Sequence, residues 1–478
     1  VVDMTGLRVM KDFGTVAVAS GDGIADLFRQ LGVDAIVSGG QTQNPSAQDF
    51  LAAFEEVNAK HIFVFPNNGN IVMAAKQAGQ LYENGEVHVI ESKDIGMGYA
   101  AISAMNFQSG LRVETTCGNC GAPQLRINGL EGQYSQILLD SRAIFSSLAG
   151  VYGLDLMPVA MVERVEVIRG GGSALFGSNA IGGVVNIITK DPVRNTLSLS
   201  NTTNILEDGT PDINSSLGGA FVSDDYKMGA YIFGQVKNRD GYDRNGDGFS
   251  DITRLRSETV GFRGYYKTSA HSRLNAEYHH IHDFRRGGNN LDAAPHMADL
   301  CEQVDHNIDG GSISFDFFPN LRHRASAYLS AQNIGRSSYF GAENNPDAYG
   351  TTSDVTVVGG AQYTFKYKAI LPAELTTGFE YNYNALNDYY IATERRIDQQ
   401  TNVYGLFAQN EWKSDKVNFL IGFRLDKHNM IDRPIFAPSA NVRYSPIEDL
   451  GLRLSYSSGY RAPQAYNEDL HIDALNHS

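Results

Sequence analysis

The chain has 478 residues and a formal net charge of -15, which argues against binding to nucleic acid. It contains no apolar run of about eighteen residues, so no membrane-spanning helix is predicted. Barrel strands are not excluded, because they alternate lipid-facing and lumen-facing residues and leave a weak hydropathy signal. The opening residues VVDMTGLRVM lack a basic stretch followed by an apolar core, so no secretory signal peptide is predicted.

Residues 1–107 alternate short apolar strands with helical patterns. A helix is predicted after Ser46, whose hydroxyl can cap it, with apolar residues at helical spacing. The alternation predicts a small α/β domain with a parallel sheet. The predicted strands are Thr15–Ala19, Asp34–Val37, His61–Phe65 and Val87–Ile90, and the other predicted helices are Ile24–Leu31, Ile71–Tyr82 and Ile95–Met105.

Two segments of this region carry a resemblance to a known family. They read VAVASGDGIADLFRQLGVDAIVSGGQTQNPS and IFVFPNNGNIVMAAKQA. Both resemble the C-terminal domain of fatty acid kinase A, of the dihydroxyacetone-kinase-like group. The resemblance implies a cytoplasmic accessory domain that binds a partner protein or an acyl carrier.

A second region is defined by two apolar strands, Val162–Arg169 and Gly183–Lys190, on either side of a glycine-rich run. Glycine allows positive φ and close backbone approach, so such a run folds tightly between strands. The glycines assigned to it are Gly170, Gly171, Gly172, Gly177, Gly182 and Gly183. Charged residues interleave with the apolar residues of the first strand, as a domain inside a polar barrel lumen requires. They are Glu163, Arg164, Glu166 and Arg169.

The blocks ERVEVIRG and SALFGSNAIGGVVNIITK, with ETTCGNCGAPQLRINGLEGQYSQILLDSR before them, resemble the plug of a TonB-dependent outer-membrane receptor. The resemblance is to the form found in the Bacteroides group and runs from 111 to the end of the chain. It implies a plug at 111–192 whose four strand charges pair with the barrel wall and separate during transport. It also implies the outer membrane and its lipid, the TonB complex as partner, and a small scarce nutrient of the iron chelate, haem or cobalamin class.

After Pro192 the pattern changes to period-two strands with polar turns. In 417–426 the odd-numbered residues are mostly apolar and most of the even-numbered ones polar or small. About thirteen strands are predicted between 195 and 459, with short turns at 413–416 and 445–449. Residues 283–308 and 335–353 are predicted to be long loops. This pattern is typical of an outer-membrane barrel, and a soluble β-sandwich is the alternative.

The resemblance also predicts that parts of the receptor are missing. Plugged barrels of this kind close with about 22 strands, and the tail LRLSYSSGYRAPQAYNEDLHI is similar to a stretch well inside the barrel. We therefore expect a truncated barrel at 193–478 that aggregates and does not transport, because open strand edges are unstable in lipid. The family's TonB-contacting segment would precede Leu111, so the plug is expected to be N-terminally incomplete.

These patterns together predict a multidomain chain, with a small α/β domain followed by an α+β plug and a truncated antiparallel transmembrane β-barrel. The predicted function is nutrient transport, and the cytoplasmic accessory domain is the alternative. The two halves belong to different compartments, so we interpret the junction at 107–111 as that of a chimeric reading frame. No Ser/His/Asp or paired-carboxylate constellation predicts an enzyme.

A calcium site is considered at Asp243, Asn245, Asp247 and Asp251, which have the oxygen spacing of a calcium loop with Gly248 at position six. Position twelve is Arg254, which excludes a standard EF-hand. A nonstandard Ca²⁺ site and a plain acidic turn of the Asx type both remain open.

Two further candidate sites involve cysteines and histidines. Cys117 and Cys120 could form a redox pair, half a zinc site or a local disulfide, and an oxidising periplasm favours the disulfide. A cluster of histidines could bind a metal or a haem-like substrate on an outer loop, with a hydrated polar loop as the alternative. They are His279, His280, His282, His296 and His306.

Overall fold

The computed structural model describes residues 11–21, 24–25, 28–29, 33–39, 45–90, 92, 111–117, 122–127, 135–143, 148, 161–169, 175, 182–414, 416–447, 450–465 and 470. The chain divides into two compact units, Val1–Arg112 and Val113–Ser478, and each is described by itself. The helix predicted at Ile95–Met105 and residues 107–110 of the predicted junction lie outside the described residues. Of the helix predicted at Ile24–Leu31, residues 24, 25, 28 and 29 are described, and they are helical.

Within its described residues, the first unit contains a four-stranded parallel sheet and two helices whose bounds are both described. Its elements are β1 (Lys11–Ala19), β2 (Ala35–Ser38), α1 (Ala47–Val57), β3 (Ala59–Phe65), α2 (Val72–Leu81) and β4 (Glu86–Val89). The strands lie in the order β2-β1-β3-β4, and every pair is parallel. Ile62 and Val64 of β3 share a buried core with Phe50 and Phe54 of α1. The prediction of a small parallel-sheet α/β domain is confirmed.

Helix α1 begins where the sequence predicts, because Ser46 and Asp49 cap each other. The Ser46 Oγ accepts a hydrogen bond from the Asp49 backbone N–H at 3.3 Å, and the Asp49 carboxylate accepts one from the Ser46 N–H at 2.8 Å. This reciprocal pattern is a capping box. The Ser46 hydroxyl also donates to the same carboxylate, and these hydrogen bonds lower the pKa of Asp49.

The second unit begins with five short strands that form two small sheets. They are β5 (Leu111–Cys117), β6 (Ala122–Ile127), β7 (Ser135–Leu139), β8 (Val162–Arg169) and β9 (Gly183–Thr189). β5 pairs with β6, and the other three lie in the order β7-β9-β8 with β9 in the centre. β9 runs parallel to β7 and antiparallel to β8. The two strands predicted on either side of the glycine-rich run are confirmed.

The rest of the second unit is one antiparallel sheet of thirteen described strands, each paired with the next along the chain. The strands are β10 (Thr196–Ile205), β11 (Pro211–Val222), β12 (Met228–Arg239), β13 (Arg254–Ser269), β14 (Ser272–Gly288), β15 (Leu300–Asn320), β16 (His323–Ala342), β17 (Tyr349–Ala369), β18 (Leu371–Tyr390), β19 (Arg395–Lys413), β20 (Val417–His428), β21 (Ile435–Ile447) and β22 (Leu450–Ser457). The predicted number of strands is confirmed.

Two predicted loops are much shorter than expected. The sequence predicts loops at 283–308 and 335–353, but β14 and β15 leave only 289–299 between them, and β16 and β17 leave only 343–348. The strands continue through polar residues of both segments, where apolar alternation is weak but backbone pairing persists. Among the described helices, none has both the length and the apolar character needed to cross a membrane.

Candidate functional site

The strands of the large sheet expose apolar side chains on one face and bury polar side chains on the other. In β20, Phe423 and Leu425 are 43% and 38% exposed, whereas Arg424 and Asp426 are 4% and 2% exposed. A soluble β-sandwich buries its apolar face, whereas a barrel in lipid turns that face outward. The soluble β-sandwich alternative is therefore wrong.

The small β7-β9-β8 sheet presents a tight polar turn immediately after β7. Asp140 and Ser141 both adopt left-handed backbone angles, with φ of 48° and 67°. The Asp140 carboxylate accepts hydrogen bonds from the Thr189 N–H at 3.0 Å and from its hydroxyl at 2.6 Å. The Asn186 side chain accepts from the Ser141 N–H at 2.7 Å. These contacts to β9 fix the turn, and with it the direction of the Asp140 carboxylate.

Asp140 belongs to a charged cluster that joins the small sheet to the wall of the large one. The Arg263 guanidinium of β13 forms an ion pair with the Asp140 carboxylate. It also pairs with Glu277 of β14 at 2.8 Å and with Asp191 at 3.1 Å. Arg273 bonds Asp191 at 2.9 Å. We call these five residues the plug–wall cluster. It contains three carboxylates and two guanidinium groups, and Arg263 is the cation that connects all three carboxylates.

A second contact lies two residues further along the turn. The Arg142 guanidinium donates to the Ser312 hydroxyl at 2.9 Å and lies 5.0 Å from the centre of the Tyr328 ring. The Tyr328 hydroxyl in turn donates to Glu380 at 2.7 Å, and Glu380 pairs with Arg424 at 3.0 Å. Arg142 therefore joins a network of buried polar residues that spans several strands of the wall.

Leu148 supplies an apolar contact to the same wall. Its backbone N–H donates to the Asp354 carboxylate at 3.4 Å, and its side chain is 1% exposed. Buried apolar side chains from four different wall strands surround it, including Ile281, Val304, Ile334 and Leu386. The small sheet and the large one therefore form one packed body with both polar and apolar contacts.

The predicted plug–barrel pairs on β8 occupy a different environment. Arg164 bonds Glu163 at 3.2 Å and Glu166 at 2.9 Å, and all three side chains are about half exposed. Glu166 also accepts from Asn186 at 3.2 Å. The described contacts of these residues lie within the small sheet, and the side chain of Arg169 lies outside the described residues. Their pairing with the barrel wall stays a prediction.

Sequence reasoning missed the two charges that do reach the wall, Asp140 and Arg142. Both follow the apolar run of β7 directly, in the segment QILLDSR. The signal that the sequence offered for these contacts was a pair of charged residues directly after an apolar strand. The sequence does not show which wall residues such charges meet.

The glycine and cysteine predictions are only partly covered by the described residues. Gly183 has a φ of 152°, and a Cβ there would lie 2.5 Å from the Ile168 carbonyl oxygen, so the backbone requires glycine. Gly182 is buried. The side chain of Cys117 and all of Cys120 lie outside the described residues, so their disulfide stays a prediction, and Cys301 is a buried free thiol. The described residues also exclude Gly170, Gly171, Gly172 and Gly177, so their predicted role is not described.

The candidate calcium loop connects β12 to β13, and its side-chain oxygens accept backbone hydrogen bonds. Asp243 accepts from the Gly246 N–H at 2.7 Å and from the Gly248 N–H at 2.8 Å. Asn245 accepts from the Asp247 N–H at 2.9 Å, and Asp251 accepts from the Arg244 N–H at 2.8 Å. The Asn245 contact, two residues along the chain, is that of an Asx-type turn, and the Asp243 and Asp251 contacts join more distant parts of the loop. Calcium binding by this loop stays a prediction.

The candidate histidines lie mostly on strands, and the strand period separates them. His280 and His282 are partly exposed on one side, where they bond Asp309 at 2.9 Å and Asp305 at 3.0 Å. His279 and His306 are buried. His296 lies in the 289–299 loop and contacts the Tyr349 hydroxyl at 2.8 Å. The structure does not gather all five into one group, and metal or haem binding by them stays a prediction.

Comparison with known proteins gives three family matches. Residues 193–470 match the model of the TonB dependent receptor-like β-barrel, 83–184 match the TonB-dependent receptor plug domain, and 14–116 match the C-terminal domain of the FakA-like fatty acid kinase proteins. A separate comparison of sequences finds Protein YloV of Bacillus subtilis, which is 46% identical over 94 residues, or 20% of this chain and 17% of that protein.

Solved structures with a similar fold include siderophore receptors. The receptor PirA of Acinetobacter baumannii is 16% identical with a TM-score of 0.62, over 74% of this chain and 57% of that one. The ferric enterobactin receptor PfeA of Pseudomonas aeruginosa, in a mutant form, is 17% identical with a TM-score of 0.61, over 74% and 58%. This chain thus spans less than two thirds of each.

The fold and the plug–wall contacts define a class of protein. A sheet with an exposed apolar face and a buried polar face that contacts a small domain is the arrangement of a plugged β-barrel. Among the described strands, β10 and β22 lie at the two edges of this sheet and do not pair with each other. The barrel model covers more than half of the sequence. The chain belongs to the TonB-dependent receptor family, and its residues 14–116 match an additional domain of the FakA-like fatty acid kinase type.

Proposed function

We propose that the receptor part of this chain binds a ferric siderophore or a similar iron chelate at the outer membrane. The observation that carries the proposal is the plug–wall cluster, in which Arg263 holds the Asp140 turn of the plug against the inner face of the barrel. A wide barrel must be closed until its cargo arrives, and a domain held by ion pairs closes it reversibly. The TonB complex is the partner that would displace the plug.

The choice of an iron chelate over haem or cobalamin rests on the structural similarity to siderophore receptors. The test is equilibrium dialysis of the full chain in detergent against iron-labelled ferric enterobactin, ferric citrate and haem, and against labelled cobalamin. We expect saturable binding of a ferric chelate. An equal concentration of the same chelator without iron should not abolish that binding. Saturable binding of haem or cobalamin alone would overturn the substrate class. No binding at all by a chain that size-exclusion chromatography shows to be monodisperse in detergent would overturn the receptor proposal.

A second function is supported for the first unit by the 46% identity to Protein YloV over 94 residues. We propose that 1–107 is an accessory domain of the FakA-like fatty acid kinase type, which binds a partner protein or an acyl carrier. Such a domain works in the cytoplasm, whereas the receptor part works in the outer membrane. We therefore propose that the chain is a chimera of two proteins, joined near 107–111.

The chimera proposal predicts a break in the source DNA. Amplification across the codons for Ala104–Glu114 should fail in independent samples that yield each flanking region separately. The flanking amplifications serve as the control, because they show that both parts are present. Recovery of one continuous junction from independent samples would show instead that the fusion is genuine.

A further inference from the structure

Three side chains on the parallel sheet of the first unit point toward one another. The Nδ1 of His61 lies 3.4 Å from the Nε2 of His88 and 3.4 Å from the Oε2 of Glu86. The remaining pair, His88 Nε2 and Glu86 Oε2, is 3.9 Å apart. Among the described residues, these three side chains form a group of potential metal ligands whose ligand atoms all lie within 4.8 Å of one another.

The strand register creates this group. β3 and β4 run in parallel with His61 opposite Glu86 and Phe63 opposite His88. Residues two apart on a strand share a face, so His61, Glu86 and His88 all project from the same side of the sheet. The core residues Ile62 and Val64 alternate with them and project from the other side, toward the helices.

Neighbouring aromatic rings hold the two imidazoles in place. Phe13 of β1 stacks on His61 with ring centres 5.5 Å apart, and His61 stacks on His88 at 5.6 Å. Phe63 stacks on His88 at 5.0 Å and on Phe13 at 6.3 Å, so the four rings form a closed group. This packing restricts rotation of both histidines, which lowers the entropic cost of ordering the ligands when an ion binds.

The distances match a specific kind of ion. Zinc binds imidazole nitrogen and carboxylate oxygen at about 2.1 Å, which places tetrahedral ligand atoms about 3.4 Å apart. Calcium and magnesium prefer all-oxygen sites, whereas imidazole suits zinc, copper and nickel. The side chains of His61, Glu86 and His88 are 41%, 67% and 36% exposed, so an ion can reach them from solvent.

We propose that His61, Glu86 and His88 form a binding site for a divalent transition metal ion of the zinc type. Three protein ligands leave the fourth tetrahedral position for water or for a group from a binding partner. The site belongs to the first unit and does not depend on iron-chelate binding by the receptor part.

The test is a zinc titration of the full chain in detergent against a competing chromophoric chelator, repeated with cobalt to read the tetrahedral visible spectrum. We expect one zinc per chain, and a loss of at least about tenfold in affinity in each of His61→Gln, His88→Gln and Glu86→Gln. The matched control is His271→Gln, an exposed histidine in the β13–β14 turn, which should bind zinc as the parent chain does.

Two results would overturn the proposal. One is the absence of competitive zinc binding by the parent chain, which would mean that the three side chains form only a hydrogen-bonded group. The other is tight binding that survives both His61→Gln and His88→Gln, which would place the ion elsewhere. Because all three positions are partly exposed, the variants should keep the fold, and unchanged far-ultraviolet circular dichroism would verify this.

Discussion

Arg263→Met is expected to loosen the plug from the barrel wall. The change removes the cation that Asp140, Asp191 and Glu277 share, and leaves three carboxylates close together in a largely buried place. Breaking a buried ion pair in this way costs about 3–5 kcal/mol. We expect the lower value, about 3 kcal/mol, because Arg263 and Asp140 keep 17% and 14% of their side-chain surface exposed. Denaturant unfolding of the chain in detergent measures the loss, and faster proteolysis of the plug should accompany it.

Removing the partner charge should restore part of this stability. In Arg263→Met combined with Asp140→Asn, one uncompensated carboxylate is gone, so the double variant should lose less than the sum of the two single changes. Arg256→Met serves as the matched control, since Arg256 is an exposed arginine on the same strand. If the free-energy changes of unfolding for Arg263→Met and Asp140→Asn were strictly additive in the double variant, these two side chains would not interact.

Phe54→Ala is expected to unfold the first unit while the barrel stays intact. The Phe54 ring is fully buried and contacts the Tyr82 ring edge-on at 5.4 Å. Deleting a buried phenylalanine ring costs about 3–5 kcal/mol, and a small domain has only about 5–15 kcal/mol in total. Hydrogen exchange measured by mass spectrometry should show lost protection in 47–82 and unchanged protection in 254–428.

Leu51→Ala provides the control for this prediction. Leu51 lies on the same helix but is only partly buried, so its loss should change exchange in 47–82 much less. If Phe54→Ala removed protection from 254–428 as well, the two compact units would not be independent in stability.

The local parts of the fold follow from the sequence because short-range patterns carry them. Period-two alternation gives the thirteen wall strands, since side chains of neighbouring residues necessarily point to opposite faces. Ser46 predicts the start of α1 because its partner, Asp49, is only three residues away. The loops predicted at 283–308 and 335–353 are too long because much of each segment belongs to paired strands whose apolar alternation is weak.

The contacts of the candidate sites could not be predicted in the same way. Arg263 meets Asp140 across 123 residues of sequence, and their contact depends on the left-handed turn that follows β7. His61 and His88 meet across 27 residues, and a shift of one residue in the pairing of β3 with β4 would place them on opposite faces of the sheet.

The sequence alone determined the kinds of element, their order and the families that the two parts resemble, because residue period, capping and motifs are local. Only the tertiary structure decided which charged residues join the plug to the wall and which histidines lie close together. It also decided that the polar face of the large sheet is the buried one. Those outcomes depend on register and on side-chain direction over long separations. The same backbone pattern is compatible with many such pairings, and packing selects one of them.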